Sequence, residues 1–163
     1  MLTTKTLIRR FARQPETIDS HAVTGLAIST HHDDLAFLRK MFDDSNWKLF
    51  TAHSYKEAMT ILSHERMAVL LCERRLPDGT WKDVLSQLAP ILNRPRLIVI
   101  SRFADERLWG EVLNMGGFDL LATPFREEEV GFAIGSAWLD WKNEQERRSG
   151  PGRVASRSAG RGA

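Results

Sequence analysis

Glu73 is the residue in this chain best placed to do chemistry. It closes the apolar run Met67–Cys72 and stands just ahead of Leu76-Pro77-Asp78-Gly79, a tight-turn sequence. A buried strand that delivers one acid to its C-terminal end is how open α/β sheets build their sites. The polar residues that must join it are Thr30-His31-His32, Ser101-Arg102 and Thr123, each at the end of another β-type run. Adjacent histidines near a carboxylate suggest a transition-metal site, because imidazole suits Zn or Cu. Neighbouring residues at a strand-to-helix corner point to different sides, however, and only one acid is close, so a polar loop without metal is expected.

The elements that must position these side chains alternate along the chain. Val23–Thr30, Trp47–Ala52, Met67–Cys72, Arg96–Ser101 and Phe118–Thr123 read as strands. Arg96–Ser101 is almost continuously apolar, as burial on both faces requires. Between them lie a helix at Asp33–Phe42 with an Asp cap, one capped by Ser54 with Ala58, Ile61 and Leu62 inward, and one near Trp81–Leu88. Ala104–Met115 is helical and stops at Gly116-Gly117; Glu127–Lys142 follows, its first-turn acids favouring the helix dipole. Strict alternation predicts an α/β fold, a five-stranded parallel sheet with helices on both faces. All the polar strand ends then converge on one edge.

Composition bounds the rest. The 163 residues carry a formal charge of only +2, which does not mark a nucleic-acid binder. Cys72 is the one cysteine and lies within an apolar run, so a reduced core thiol and a cytoplasmic location are expected. Residues 1–22 form a basic extension, with Lys5, Arg9, Arg10 and Arg13 preceding any acid and Leu7, Ile8 and Phe11 at helical spacing. Residues 23–142 make the domain, and 143–163 an Arg/Gly/Ser-rich tail expected to be disordered. So short a tail cannot hold an output domain.

Residues 23–142 resemble the receiver domain of bacterial two-component response regulators. Val69 through Gly79 looks like the phosphoacceptor strand and its loop, and Ile98-Val99-Ile100-Ser101 like the fourth strand with its hydroxyl residue. Leu113-Asn114-Met115-Gly116-Gly117-Phe118-Asp119 through Thr123-Pro124-Phe125 looks like the family's Ala-Gly-Ala…Lys-Pro-Phe stretch. The resemblance implies a flavodoxin-like (βα)5 fold and phosphorelay signalling without enzymatic output. A histidine kinase or other signalling protein would be the partner, reached through the fourth-helix, fifth-strand and fifth-helix face. Trp109 lies on that fourth helix; Trp81, Trp138 and Trp141 are expected in the core or at its boundary.

In that family an aspartate ends the third strand and, with two acids after the first, holds Mg²⁺, while a Ser/Thr and a Lys contact the phosphoryl group. Here the phosphoacceptor position is Glu73, the acid pair falls on Thr30 and His31, and Thr123 replaces the Lys. Ser101 is kept, and Leu120 occupies the aromatic-switch position. Glu73 is therefore read as a fixed charge paired with Arg102 or Arg74, in a domain that works by protein–protein contact without cofactor or metal. Two alternatives stand beside this. One is a Mg²⁺-dependent phosphoacceptor whose acidic pocket is displaced onto Asp33 and Asp34. The other is a nucleic-acid-associated module using the basic termini.

Overall fold

The computed structural model describes residues 23–150. The segments 1–22 and 151–163, with the expectations attached to them, lie outside the described residues. The elements are β1 (Thr24–Ile28), α1 (His32–Asp44), β2 (Lys48–Ala52), α2 (Tyr55–His64), β3 (Val69–Glu73), β4 (Arg75–Leu76), β5 (Gly79–Thr80), α3 (Trp81–Leu88), β6 (Arg96–Ser101), α4 (Glu106–Asn114), β7 (Asp119–Ala122) and α5 (Glu127–Ser149). Five strands form a parallel sheet in the order β2-β1-β3-β6-β7, as the alternation predicts. The tight turn at Pro77-Asp78 carries a feature the sequence reading did not resolve: β4 and β5 pair antiparallel across it.

Strand pleating sorts the apolar residues into two cores. Ala27, Val69, Leu71, Ile98 and Ile100 face α1 and α5, meeting Leu35, Leu38, Phe42, Ile134 and Trp138. Leu26, Ile28, Leu70, Cys72, Leu97 and Val99 face the other way, onto α2, α3 and α4 through Ala58, Trp81, Val84, Leu88, Leu108 and Val112. Because β1, β3 and β6 are interior strands, both sets of side chains are buried, which is why these runs do not alternate with polar residues. At roughly 25 cal/mol per Å² of apolar surface removed from water, these two layers are the main favourable contribution to folding.

Register then aligns the strand ends. Ile28 lies opposite Cys72, Glu73 opposite Ile100, and Ser101 opposite Ala122. The N–H of Thr123 donates to the Ser101 carbonyl at 3.1 Å, continuing that register one residue beyond β7. The α4–β7 connection depends on its glycines. Gly116 has φ +98°, and a Cβ on Gly117 would stand 2.6 Å from Val112 Cγ1.

Two helix ends differ from expectation. The N-cap of α1 is His31, without a side-chain cap bond, and Asp33 and Asp34 sit in the first turn. The imidazole is turned instead toward Glu73. Helix α5 runs to Ser149, so residues 143–149 belong to the folded unit. Ion pairs explain the extension: Arg96 donates to Asp140 Oδ2 and to Glu144 Oε2, both at 2.6 Å, and Arg148 pairs with Glu144 one turn on. No helix among the described residues is long and apolar enough to cross a membrane.

Candidate functional site

The C-terminal edge of the sheet gathers the ends of β1, β3, β6 and β7 around a cavity of about 360 Å³. Its walls include His31, Asp34, Glu73, Ser101, Arg102 and Thr123. The strand register, and no local motif, brings these residues together.

Glu73 is saturated with partners. Its Oε2 accepts from the Thr30 backbone N–H at 2.9 Å, from Thr30 Oγ1 at 3.1 Å and from Ser29 Oγ at 3.3 Å. Its Oε1 lies 3.0 Å from His31 Nε2. Ser29 is fully buried, and its Oγ also accepts the His31 N–H at 3.0 Å, fixing the backbone from which the imidazole projects. Sequence reasoning did not include Ser29. The signal was available as two consecutive hydroxyl residues ending an apolar strand.

The expected pairing of Glu73 with Arg102 or Arg74 is corrected by this geometry. The acid's ionisable partner is His31; Arg102 lies beyond the end of β6, exposed, and lines the cavity without pairing to Glu73. Asp34 also lines the cavity. Burial pushes its carboxyl above the ordinary range, while the nearby His31 and Arg102 charges pull it back. Ser101 is buried, and its Oγ accepts the Phe103 N–H at 3.2 Å. Thr123 Oγ1 is buried without a hydrogen-bond partner among the described residues. Leu120 is half-buried and packs on the α2–α4 side of the sheet. Cys72 is free, and burial with Glu73 beside it raises its thiol pKa, which keeps it protonated.

The two histidines diverge. His31 faces Glu73, whereas the His32 ring lies 6.1 Å from that of His53.

A family model described as the response regulator receiver domain matches residues 26–134. This chain belongs to that family. Among its relatives, sporulation initiation phosphotransferase F of Bacillus subtilis (strain 168) is 22% identical over 97 residues, covering 60% of this chain and 78% of that protein. The signal receiver domain of an HD domain-containing protein from Pseudomonas fluorescens Pf-5 superposes with a TM-score of 0.72 at 17% identity, covering 82% of this chain and 99% of that one. A receiver domain protein from Clostridium thermocellum gives 0.67 at 19% identity, covering 74% and 98%. At these identities the structures establish the flavodoxin-like receiver fold, and the family model places the chain in two-component phosphorelay signalling.

Receivers use Mg²⁺ for phosphorylation, and the residues of this receiver do not fit that ion. Mg²⁺ demands a near-octahedral set of oxygen ligands. On the sequence reading the acid-pair positions fall on Thr30 and His31, a hydroxyl residue and an imidazole. Of the two carboxylates lining the cavity, Asp34 and Glu73, the latter already accepts three hydrogen bonds on one oxygen and faces His31 with the other. Thr123, which the sequence reading sets at the lysine position, offers no positive charge to a phosphoryl group.

Proposed function

We propose that this receiver signals without phosphorylation, holding one conformation and acting as a binding module rather than an enzyme. The observation that carries this is the closed bonding of Glu73 at the phosphoacceptor position. Its carboxylate is satisfied by Ser29, Thr30 and His31, and in this reading His31 stands in for a receiver acid that would share the metal. An imidazole donor in that place supplies from within the chain part of what Mg²⁺ supplies elsewhere.

Output in this reading is protein contact through α4, β7 and α5. Trp109 is 48% exposed on α4 and Phe132 65% exposed on α5, with Leu113 and Leu139 further along the same helices. Exposed aromatics flanked by polar residues are the usual anchors of a protein interface. A histidine kinase or another signalling protein is the partner class this surface suits.

A second reading has one observation behind it. Asp34 lines the cavity that holds Glu73, Ser101 and Thr123, so a displaced acidic pocket would use it. Titration with Mg²⁺, followed through backbone amide resonances, separates the two. The closed-pocket reading expects no saturable shifts at Thr30, His31 and Glu73. Saturable shifts there that vanish in Asp34→Asn would establish the displaced pocket.

A further inference from the structure

We propose that the cavity beside Glu73 is a non-covalent, metal-free site for a small organic anion, a phosphate or carboxylate attached to an apolar group. The proposal rests on the reading of Glu73 as an internally satisfied acid, and it adds a ligand to that pocket.

Charge is the first argument. Arg74, Arg75 and Arg102 line the cavity, and among the described residues no ion pair or side-chain hydrogen bond engages any of their guanidinium groups. They outnumber the two carboxylates present, Asp34 and Glu73, even with His31 neutral. Glu73 is further screened by its N–H and hydroxyl donors. Arg102 feels Asp34 and Arg74 feels Glu111 only at a distance, and guanidinium groups held in no close ion pair are suited to a bound oxyanion, which they grip through paired N–H donors.

Shape is the second. Ile100 and Phe103 form an apolar part of the wall, and Phe103 is 81% exposed at the start of the β6–α4 loop. An exposed phenyl ring beside unpaired arginines offers a surface for a ring or short alkyl group next to its anionic end. The volume of about 360 Å³ lies at the small end of ligand pockets, which limits the guest to a compact molecule. Arg102, His31, Asp34 and Thr123 also border a second cavity toward Pro124, so Arg102 stands between the two spaces and is the natural anchor.

Phenyl phosphate, benzoate and inorganic phosphate, titrated calorimetrically into the full chain without added Mg²⁺, test the proposal. Phenyl phosphate is an ester rather than a mixed anhydride and is a poor phosphoryl donor, so the result does not depend on whether Glu73 accepts phosphate. Phenyl phosphate or benzoate should bind one-to-one in the micromolar-to-millimolar range, at least about tenfold tighter than inorganic phosphate. Whichever of the two is tighter identifies the oxyanion. Arg102→Ala and Arg102→Gln should each weaken binding by about tenfold or more while leaving the melting temperature unchanged, as expected for an exposed residue. Lys48→Ala removes a cation from the opposite end of the sheet and should change nothing. Absence of binding by both organic anions, inorganic phosphate binding as tightly as they do, or undiminished binding in Arg102→Ala would each overturn the proposal.

Discussion

In the proposed reading, Glu73 and His31 hold a hydrogen-bonded arrangement where other receivers hold a metal. Replacing the carboxylate by Ala would leave the buried Ser29 hydroxyl without this acceptor while the exposed Thr30 N–H and hydroxyl turn to water, a loss of about 1–3 kcal/mol in urea unfolding. Glu73→Gln keeps the shape but turns one acceptor into a donor, and should cost somewhat less, about 1–2 kcal/mol. The His31 side chain is 38% exposed, so its coupling to Glu73 is modest. A double-mutant cycle of Glu73→Gln with His31→Ala should return a coupling of about 0.5–1 kcal/mol. A coupling indistinguishable from zero would mean that the imidazole contributes nothing and that Ser29 and Thr30 hold the acid alone.

At the scale of elements, the Leu-Pro-Asp-Gly turn does more than reverse the chain. Asp78 accepts from the N–H of Tyr55 at 2.7 Å and of Lys56 at 3.0 Å, closing the N-terminus of α2 from a distant loop. The Lys56 N–H, then that of Tyr55, hold the Asp78 carboxyl below its ordinary 3.8. Its stabilising contribution is therefore complete above that value and is lost as pH falls through the lower folded-state pKa. The melting-temperature difference between wild type and Asp78→Ala should stay level from neutral pH to mild acid and close below 3.8. A difference that persists unchanged in strong acid would show that the charge plays no part. Arg96 ties β6 to the last turns of α5 and is only 12% exposed. Arg96→Ala should cost about 1–3 kcal/mol and fray the helix beyond Asp140, seen as lost amide protection there.

For the molecule as a whole, the fold was legible because two strong patterns agree. Strands such as Leu97–Ile100 are continuously apolar, and the intervening helices carry apolar residues at helical spacing. Less legible was whatever depends on side-chain direction across the sheet. Position alone put Thr30, His31, Ser101 and Thr123 around Glu73, yet it could not distinguish Arg102 from His31 as the acid's partner, since β1 and β6 both flank β3. The length of α5 was missed for a related reason. Its last turns are fixed by Arg96, 44 residues before Asp140, and a polar tail sequence carries no trace of that contact. The exposed face of α4 and α5 supplies the test at this scale. Phe132→Ala should leave unfolding within about 0.5 kcal/mol of wild type, since its side chain is mostly in water, and the half-exposed Trp109→Ala should cost somewhat more, about 1 kcal/mol. Each should abolish binding to the cognate partner, while acetyl phosphate should leave that binding unchanged.

In the proposed reading, Glu73 is a closed internal acid and not a phosphoacceptor. Incubation of the full chain with acetyl phosphate and Mg²⁺, read by intact mass, addresses it most directly. The mass is predicted to remain that of the unmodified chain. A phosphorylated species that disappears in Glu73→Ala would contradict the account.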